Sequence, residues 1–116
     1  MKKLKITKLQ NLVNRVNSKI DFTYNLDPSL EQKNYVVSIK NIYTGKNPSL
    51  FFNMNIELKK AIDSKIFDSI GLWNNKGRIY VDANVHFYSL DIALAIARKY
   101  NQISIFDINN NKIINL

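Results

Sequence analysis

Eleven consecutive residues, Arg78–Tyr88, alternate between two chemical characters without a break. Ile79, Val81, Ala83, Val85 and Phe87 take every second position, and Arg78, Tyr80, Asp82, Asn84, His86 and Tyr88 take the others. A period of two places the first set on one face of a β-strand and the second on the opposite face. The pattern therefore predicts a strand with a covered apolar face and an open polar face, and the rest of the chain is read around it.

Ahead of it, Thr7–Ile20 has helical spacing. Thr7 and Gln10 stand in a capping-box pattern, and Leu9, Leu12, Val13, Val16 and Ile20 form one apolar stripe. Residues 21–34 read as a connection with a turn at Asp27-Pro28-Ser29. Tyr35–Tyr43 is rich in β-formers and reads as a strand, Thr44–Ser49 as a turn, and Leu50–Asn55 as a second short strand in a hairpin with the first. Asn55 is then expected to cap a helix over Ile56–Phe67 with Leu58, Ala61, Ile62 and Ile66 inward, and Asp68–Gly77 reads as a loop.

After the long strand, Ser89 is placed to cap a helix over Leu90–Tyr100. Asp91 in its first turn and Arg98 and Lys99 in its last suit the helix dipole. This helix is apolar nearly all round, which predicts deep burial, and the Gln102 amide is expected to meet carbonyls at its end. Ile103–Ile108 reads as a strand, Asn109-Asn110-Asn111 as a turn, and Lys112–Leu116 as a short edge strand.

These elements predict an α+β fold: a single domain over 1–116, with a small mixed or antiparallel sheet and three helices packed mainly on one face. Residues 1–6 would be a flexible basic arm, 7–34 the first helix and its connection, and 35–116 the α+β core. The strand–helix–strand unit at 78–108 fits either a right-handed parallel crossover or an antiparallel return.

The charge narrows the function. The chain of 116 residues carries a net charge of +8. Residues 1–20 hold Lys2, Lys3, Lys5, Lys8, Arg15 and Lys19 with no acid, and the remainder is nearly balanced. A local basic excess favours an anionic partner: nucleic acid, an acidic protein or a membrane surface. Codon usage offers a second reading, since the 14 Lys, 17 Asn and 16 Ile are all encoded by AT-rich codons. With no Cys and one His, a disulfide framework, a thiolate nucleophile, a Cys-based zinc site and a His-rich metal site are excluded. No apolar targeting segment follows the basic start and no stretch is long and apolar enough for a membrane helix, so a cytoplasmic protein is expected.

Two candidate binding surfaces emerge, and no catalytic residue, metal ligand or cofactor site. On the first helix Lys8, Arg15 and Lys19 form a stripe bordering the apolar one. With Lys2, Lys3 and Lys5 they could hold an anionic partner, or could simply be solvated while the apolar stripe packs inward. The second surface is the polar face of the long strand, where Arg78, Tyr80, His86 and Tyr88, with the lone Trp73, combine rings and charge as single-stranded nucleic acid requires. The competing reading is an ordinary solvated sheet face, and Asp82 in its middle would repel phosphate. Trp73 itself reads either as a cover for a core edge or as an interface anchor. Asp82 and His86 lie ~13 Å apart along a strand and cannot hydrogen-bond directly. Glu57, Asp63 and Asp68 read as capping and solvation, and Gly45, Gly71 and Gly77 form no phosphate-cradling loop.

From about Tyr35 onward, two-thirds of the chain resembles a module of small phage, plasmid and mobile-element proteins. The residues concerned are Gly71-Leu72-Trp73, Tyr80-Val81-Asp82, Leu90-Asp91-x-Ala93-x-x-x-Ala97 and Asn101-Gln102-Ile103-Ser104-Ile105-Phe106-Asp107, with Tyr35-Val36-Val37-Ser38 upstream. Such proteins modulate host machinery or block host defence, anti-CRISPR proteins included. The resemblance implies a non-enzymatic protein that binds a host protein or ribonucleoprotein complex such as a CRISPR effector; the basic N-terminus, which lies outside the resemblance, would add RNA or DNA contact through its charge. The alternatives are a stand-alone RNA- or DNA-binding regulator, and an oligomeric virion component.

Overall fold

The computed structural model describes residues 8–27 and 33–116. In chain order the elements are helix α1 (Lys8–Ser18), strand β1 (Phe22–Asn25), strand β2 (Tyr35–Gly45), a 3-10 turn (Pro48–Leu50), helix α2 (Met54–Ser64), strand β3 (Ser69–Asn75), strand β4 (Arg78–Phe87), helix α3 (Leu90–Lys99) and strands β5 (Ser104–Asp107) and β6 (Lys112–Asn115). The six strands form one sheet in the order β1-β3-β4-β2-β5-β6, with every pair antiparallel. The expected α+β domain is therefore observed.

The alternation of β4 does what a period of two requires. Ile79, Val81 and Ala83 are fully buried on the face that carries the helices. There they join Leu12 and Val16 of α1, Met54, Leu58 and Ala61 of α2, and Ile70 and Leu72 of β3. A second cluster lies under α3, where Val37, Ala93, Ala97 and Ile105 meet Phe87 and Ile114. Full burial of one such Leu or Ile is worth about 2 kcal/mol, and these two clusters hold the helices on the sheet.

What divides them is β2. Its register against β4 slips between Ser38 and Lys40 and again between Asn41 and Tyr43. Each slip is a β-bulge, which adds a residue and increases the local twist. The extra residues are Ile39, which packs in the α3 cluster, and Ile42, which packs in the other. Two bulges also explain why Tyr35–Tyr43 shows no clean alternation in sequence.

Several expectations are corrected. Within residues 21–34, read as a connection, β1 pairs with β3 at the sheet edge. Leu50–Asn55 is not a strand: Pro48 presets a turn, and the bonds Leu50 N–H to Asn47 O and Met54 N–H to Phe51 O keep the chain curling into α2. Helix α2 starts and ends earlier than expected, because Lys65 takes a left-handed conformation (φ 56°) and turns the exposed Ile66 away. Asp68–Gly77 is mostly strand β3, joined to β4 by a tight turn with positive φ at Lys76 and Gly77, the geometry that matches the twist of a hairpin.

Helix α1 ends at Ser18, so Ile20 lies outside it and is exposed. Helix α3 is less buried than its composition predicts: only Ala93 and Ala97 are fully covered, and Ile92 is exposed. Its cap is as expected, with Ser89 Oγ accepting from Ile92 N–H at 3.3 Å. Strands β4 and β5 run in the same direction with β2 between them, so α3 crosses over one intervening strand. The 1–6 arm and the Thr7 cap lie outside the described residues. No helix among the described residues is long and apolar enough to cross a membrane.

Candidate nucleic-acid interface

The helix-free face of the sheet is read from the register. Trp73 faces Tyr80, Gly71 faces Asp82, and Ser69 faces Asn84 across β3 and β4. On the other side of β4, Thr44 faces Tyr80, Asn41 faces Asp82, Ser38 faces Asn84, and Val36 faces His86. The residues singled out on the long strand thus share a face, but the structure splits them into two groups with different fates.

At the hairpin end, Trp73 and Tyr80 stack with ring centroids 5.3 Å apart and planes inclined by 29°. The Arg78 guanidinium lies 6.0 Å from the Tyr80 ring centroid. Trp73 remains 49% exposed, so half of its surface is available to a partner. It stands on a strand facing solvent, not over the core edge. Two residues inward, Asp82 accepts a 3.0 Å hydrogen bond from Asn41 Nδ2. Partial burial pushes the Asp82 carboxyl up from its ordinary range, and the Asn41 bond opposes this.

At the other end the face is sealed. Ser69 is fully buried and His86 is 3% exposed, so His86 is withdrawn from the candidate surface. A chain of hydrogen bonds runs across three strands. Ser38 Oγ donates to Asn84 Oδ1 at 3.0 Å, Asn84 Nδ2 donates to Ser69 Oγ at 3.2 Å, and Ser69 Oγ lies 2.7 Å from His86 Nε2. The backbone hydrogen bond with Lys33 favours the protonated ring, so the ring donates there; in the neutral tautomer protonated at Nδ1, Nε2 accepts the Ser69 hydroxyl proton. Burial lowers the His86 pKa below its ordinary 6.5, against an opposing pull from Asp68. A neutral imidazole fits this chain, and every buried side-chain nitrogen or oxygen among the described residues has a partner.

The Ser69–His86 contact has the spacing of a nucleophile and its base. The sequence alone does not reveal it, because Ser69–Asn75, with Gly71 and two asparagines, reads as loop. The pair does not present an attackable site: Ser69 is fully covered, and its hydroxyl is held between Asn84 and the ring. The nearby acid Asp68 spends its Oδ2 on the His86 backbone N–H at 2.8 Å. Tyr88 stands beyond the strand end, roughly 26 Å along the chain from Tyr80 at ~3.3 Å per residue, with the Lys33 ammonium 5.4 Å from its ring centroid. It belongs to a different part of the surface from Trp73 and Arg78.

Lys8 and Arg15 lie on α1 beside edge strand β1, whereas Lys19 falls past the helix end with φ 60°, so the expected helical stripe is shortened to two residues. Lys8 Nζ donates to the Leu26 carbonyl at 3.0 Å, and Lys19 Nζ donates to Asn47 Oδ1 at 3.2 Å. The Arg15 guanidinium sits 5.0 Å from the Phe22 ring centroid and 5.9 Å from that of Tyr24. On α2, by contrast, acids meet bases: Glu57 pairs with Lys40 and Lys60, and Asp63 with Lys59. Lys2, Lys3 and Lys5 lie outside the described residues. Among the described residues no cluster of His, Asp or Glu is arranged to hold a metal ion.

No family model matches this chain, and comparison with curated proteins and with solved structures gave no match.

Proposed function

We propose that this chain is a non-enzymatic binding protein that docks on a host nucleoprotein complex, with α1 turned toward the nucleic acid. The resemblance noted above supplies the setting: a phage or mobile-element protein modulating a host defence machine such as a CRISPR effector. The observation that carries the reading is the state of the cations on α1 and just past its end. Lys8, Arg15 and Lys19 are held by a carbonyl, two rings and an amide, whereas the lysines of α2 are held by carboxylates. Positive charge met by neutral groups keeps its attraction for an anion and steers association. A guanidinium already laid over two rings loses little further freedom when it meets a phosphate.

The test is a tagged pull-down from host lysate with and without nuclease, using the wild-type chain and a variant with Lys2, Lys3, Lys5, Lys8, Arg15 and Lys19 changed to Glu. The expected result is a stoichiometric protein partner that survives nuclease, lost in a variant whose circular dichroism and melting remain those of the wild type. Wild-type capture by the folded variant would overturn the role of α1. Recovery of nucleic acid alone, released by nuclease, would replace the proposal with a stand-alone nucleic-acid binder.

A further inference from the structure

We infer that the hairpin end of the helix-free face is a stacking site for the bases of a single-stranded nucleic acid, with Trp73 as its platform. The inference rests on the reading above that the partner carries nucleic acid, and it adds a second contact on the opposite face of the sheet from α1.

Three observations converge on this end. The first is the ring surface: Trp73 stacks on Tyr80 yet stays 49% exposed on a face that carries no helix. The second is the charge gathered around it. Asn75 pairs with Arg78 and Gly45 with Ile79, so Lys76 in the turn, Arg78 and Lys46 stand together at the strand ends. Lys19 is tied to the other face, where its carbonyl accepts from Asn74 Nδ2 at 2.9 Å. Three cations therefore stand at the strand ends beside one exposed ring pair, with the Arg78 guanidinium 6.0 Å from the Tyr80 ring centroid. The third is the disposition of the acids. Asp21 is held at this end by the Asn74 backbone N–H at 2.7 Å, and Asp82 by Asn41. Asp82 bars a phosphate backbone from running down the face toward Asn84. The backbone is directed across the hairpin, past Lys76 and Arg78 toward Lys46.

The chemistry selects the ligand. An exposed indole offers a flat face that unpaired bases can cover, worth a sizeable part of single-strand affinity, and flanking cations take the phosphates. A duplex keeps its base faces covered and has only phosphates to offer. An acidic peptide would satisfy the cations and leave the rings bare.

Because Trp73 is the only tryptophan, its fluorescence reports on this site alone. The full chain is titrated at roughly 50 mM salt with oligo(U) and oligo(dT) of about twelve nucleotides, with the same duplexes, with an abasic strand of equal length and with polyglutamate. The expected result is quenching by both single strands, or by the one whose sugar is preferred, and little by duplex or abasic strand. By anisotropy, Trp73→Ala should bind about ten-fold more weakly, and Trp73→Phe should recover most of the loss. Equal quenching by the abasic strand, tighter binding of duplex or polyglutamate, no quenching at all, or wild-type affinity in folded Trp73→Ala would each overturn the inference. The two readings separate cleanly. Lys8→Glu with Arg15→Glu should weaken nuclease-resistant capture and leave quenching intact. Capture without quenching removes this site alone, and quenching without capture removes the docking reading alone.

Discussion

The two ends of the helix-free face of β4 carry similar residues put to opposite uses. Toward the hairpin, Tyr80 meets Trp73 and both keep contact with solvent. Toward Phe87, Asn84 and His86 are enclosed and joined through Ser69 and Ser38 into one chain of hydrogen bonds. Polar character on a sheet face does not by itself mean an available surface. Once a second element approaches, the same side chains become internal cross-links, and their hydrogen-bonding capacity is consumed by the fold. Lys33, whose backbone meets the His86 ring, marks where that approach occurs.

The most severe way to test this contrast is to cut the sealed end at its centre. Asn84→Ala removes the bridge between Ser38 and Ser69, leaving the half-buried Ser38 hydroxyl without its acceptor and the buried Ser69 oxygen with the His86 ring as its remaining partner. We expect a loss of about 2–4 kcal/mol in denaturant unfolding, and a loss under about 1 kcal/mol would mean that the chain contributes little to stability.

Acid should strain the same end. The His86 pKa is lowered in the folded protein, chiefly by burial, so between that value and 6.5 the unfolded chain binds more protons than the folded one. Stability therefore falls as pH falls through this window and is regained as pH rises above it. Protonation would also turn Nε2 into a donor, and the buried Ser69 hydroxyl proton would lose its acceptor. Asp82 has the opposite shift, so its effect on stability runs the other way, near its own more acidic range. Melting temperatures followed from about pH 7.5 to about pH 5 should decline in the wild type and decline less in His86→Gln. Parallel profiles in the two proteins would count against the assignment to His86.

The smallest stability effect belongs to the open end. Trp73→Ala loses one exposed cross-strand aromatic pair, and we expect a cost of about 1 kcal/mol or less, measurable by urea titration. A cost as large as that of Asn84→Ala would show that the two ends are both structural, and would remove the distinction on which the stacking site rests.

Much of this was legible in the sequence, for identifiable reasons. The alternation of Arg78–Phe87, the Ser89 cap and the turn at Asn109–Asn111 are local, and each appears where its residues placed it. The stripe of Leu12 and Val16 on α1 packs inward, with Lys8, Arg15 and Lys19 outside. Strands β1 and β3 were not legible. Phe22–Asn25 is too short to establish a period, and Ser69–Asn75 contains Gly71 and two asparagines that read as loop. The one usable signal was Lys76-Gly77 directly ahead of the long strand, a pair that suits a hairpin turn. With β3 unplaced, neither the Ser69–His86 contact nor the gathering of Lys46, Lys76 and Arg78 at the Trp73 end of the sheet is visible.

By itself the sequence determined which segments become helix or strand where the period is long enough, which face of β4 is apolar, the basic excess of α1, and the absence of thiol chemistry. The tertiary structure alone decided the strand order, the two bulges that divide the core, and which polar residues of β4 are sealed and which stay open. The reason is physical. Periodicity and capping act over a few residues, whereas the burial of His86 and the exposure of Trp73 depend on segments distant in the chain, brought together only when the apolar faces close.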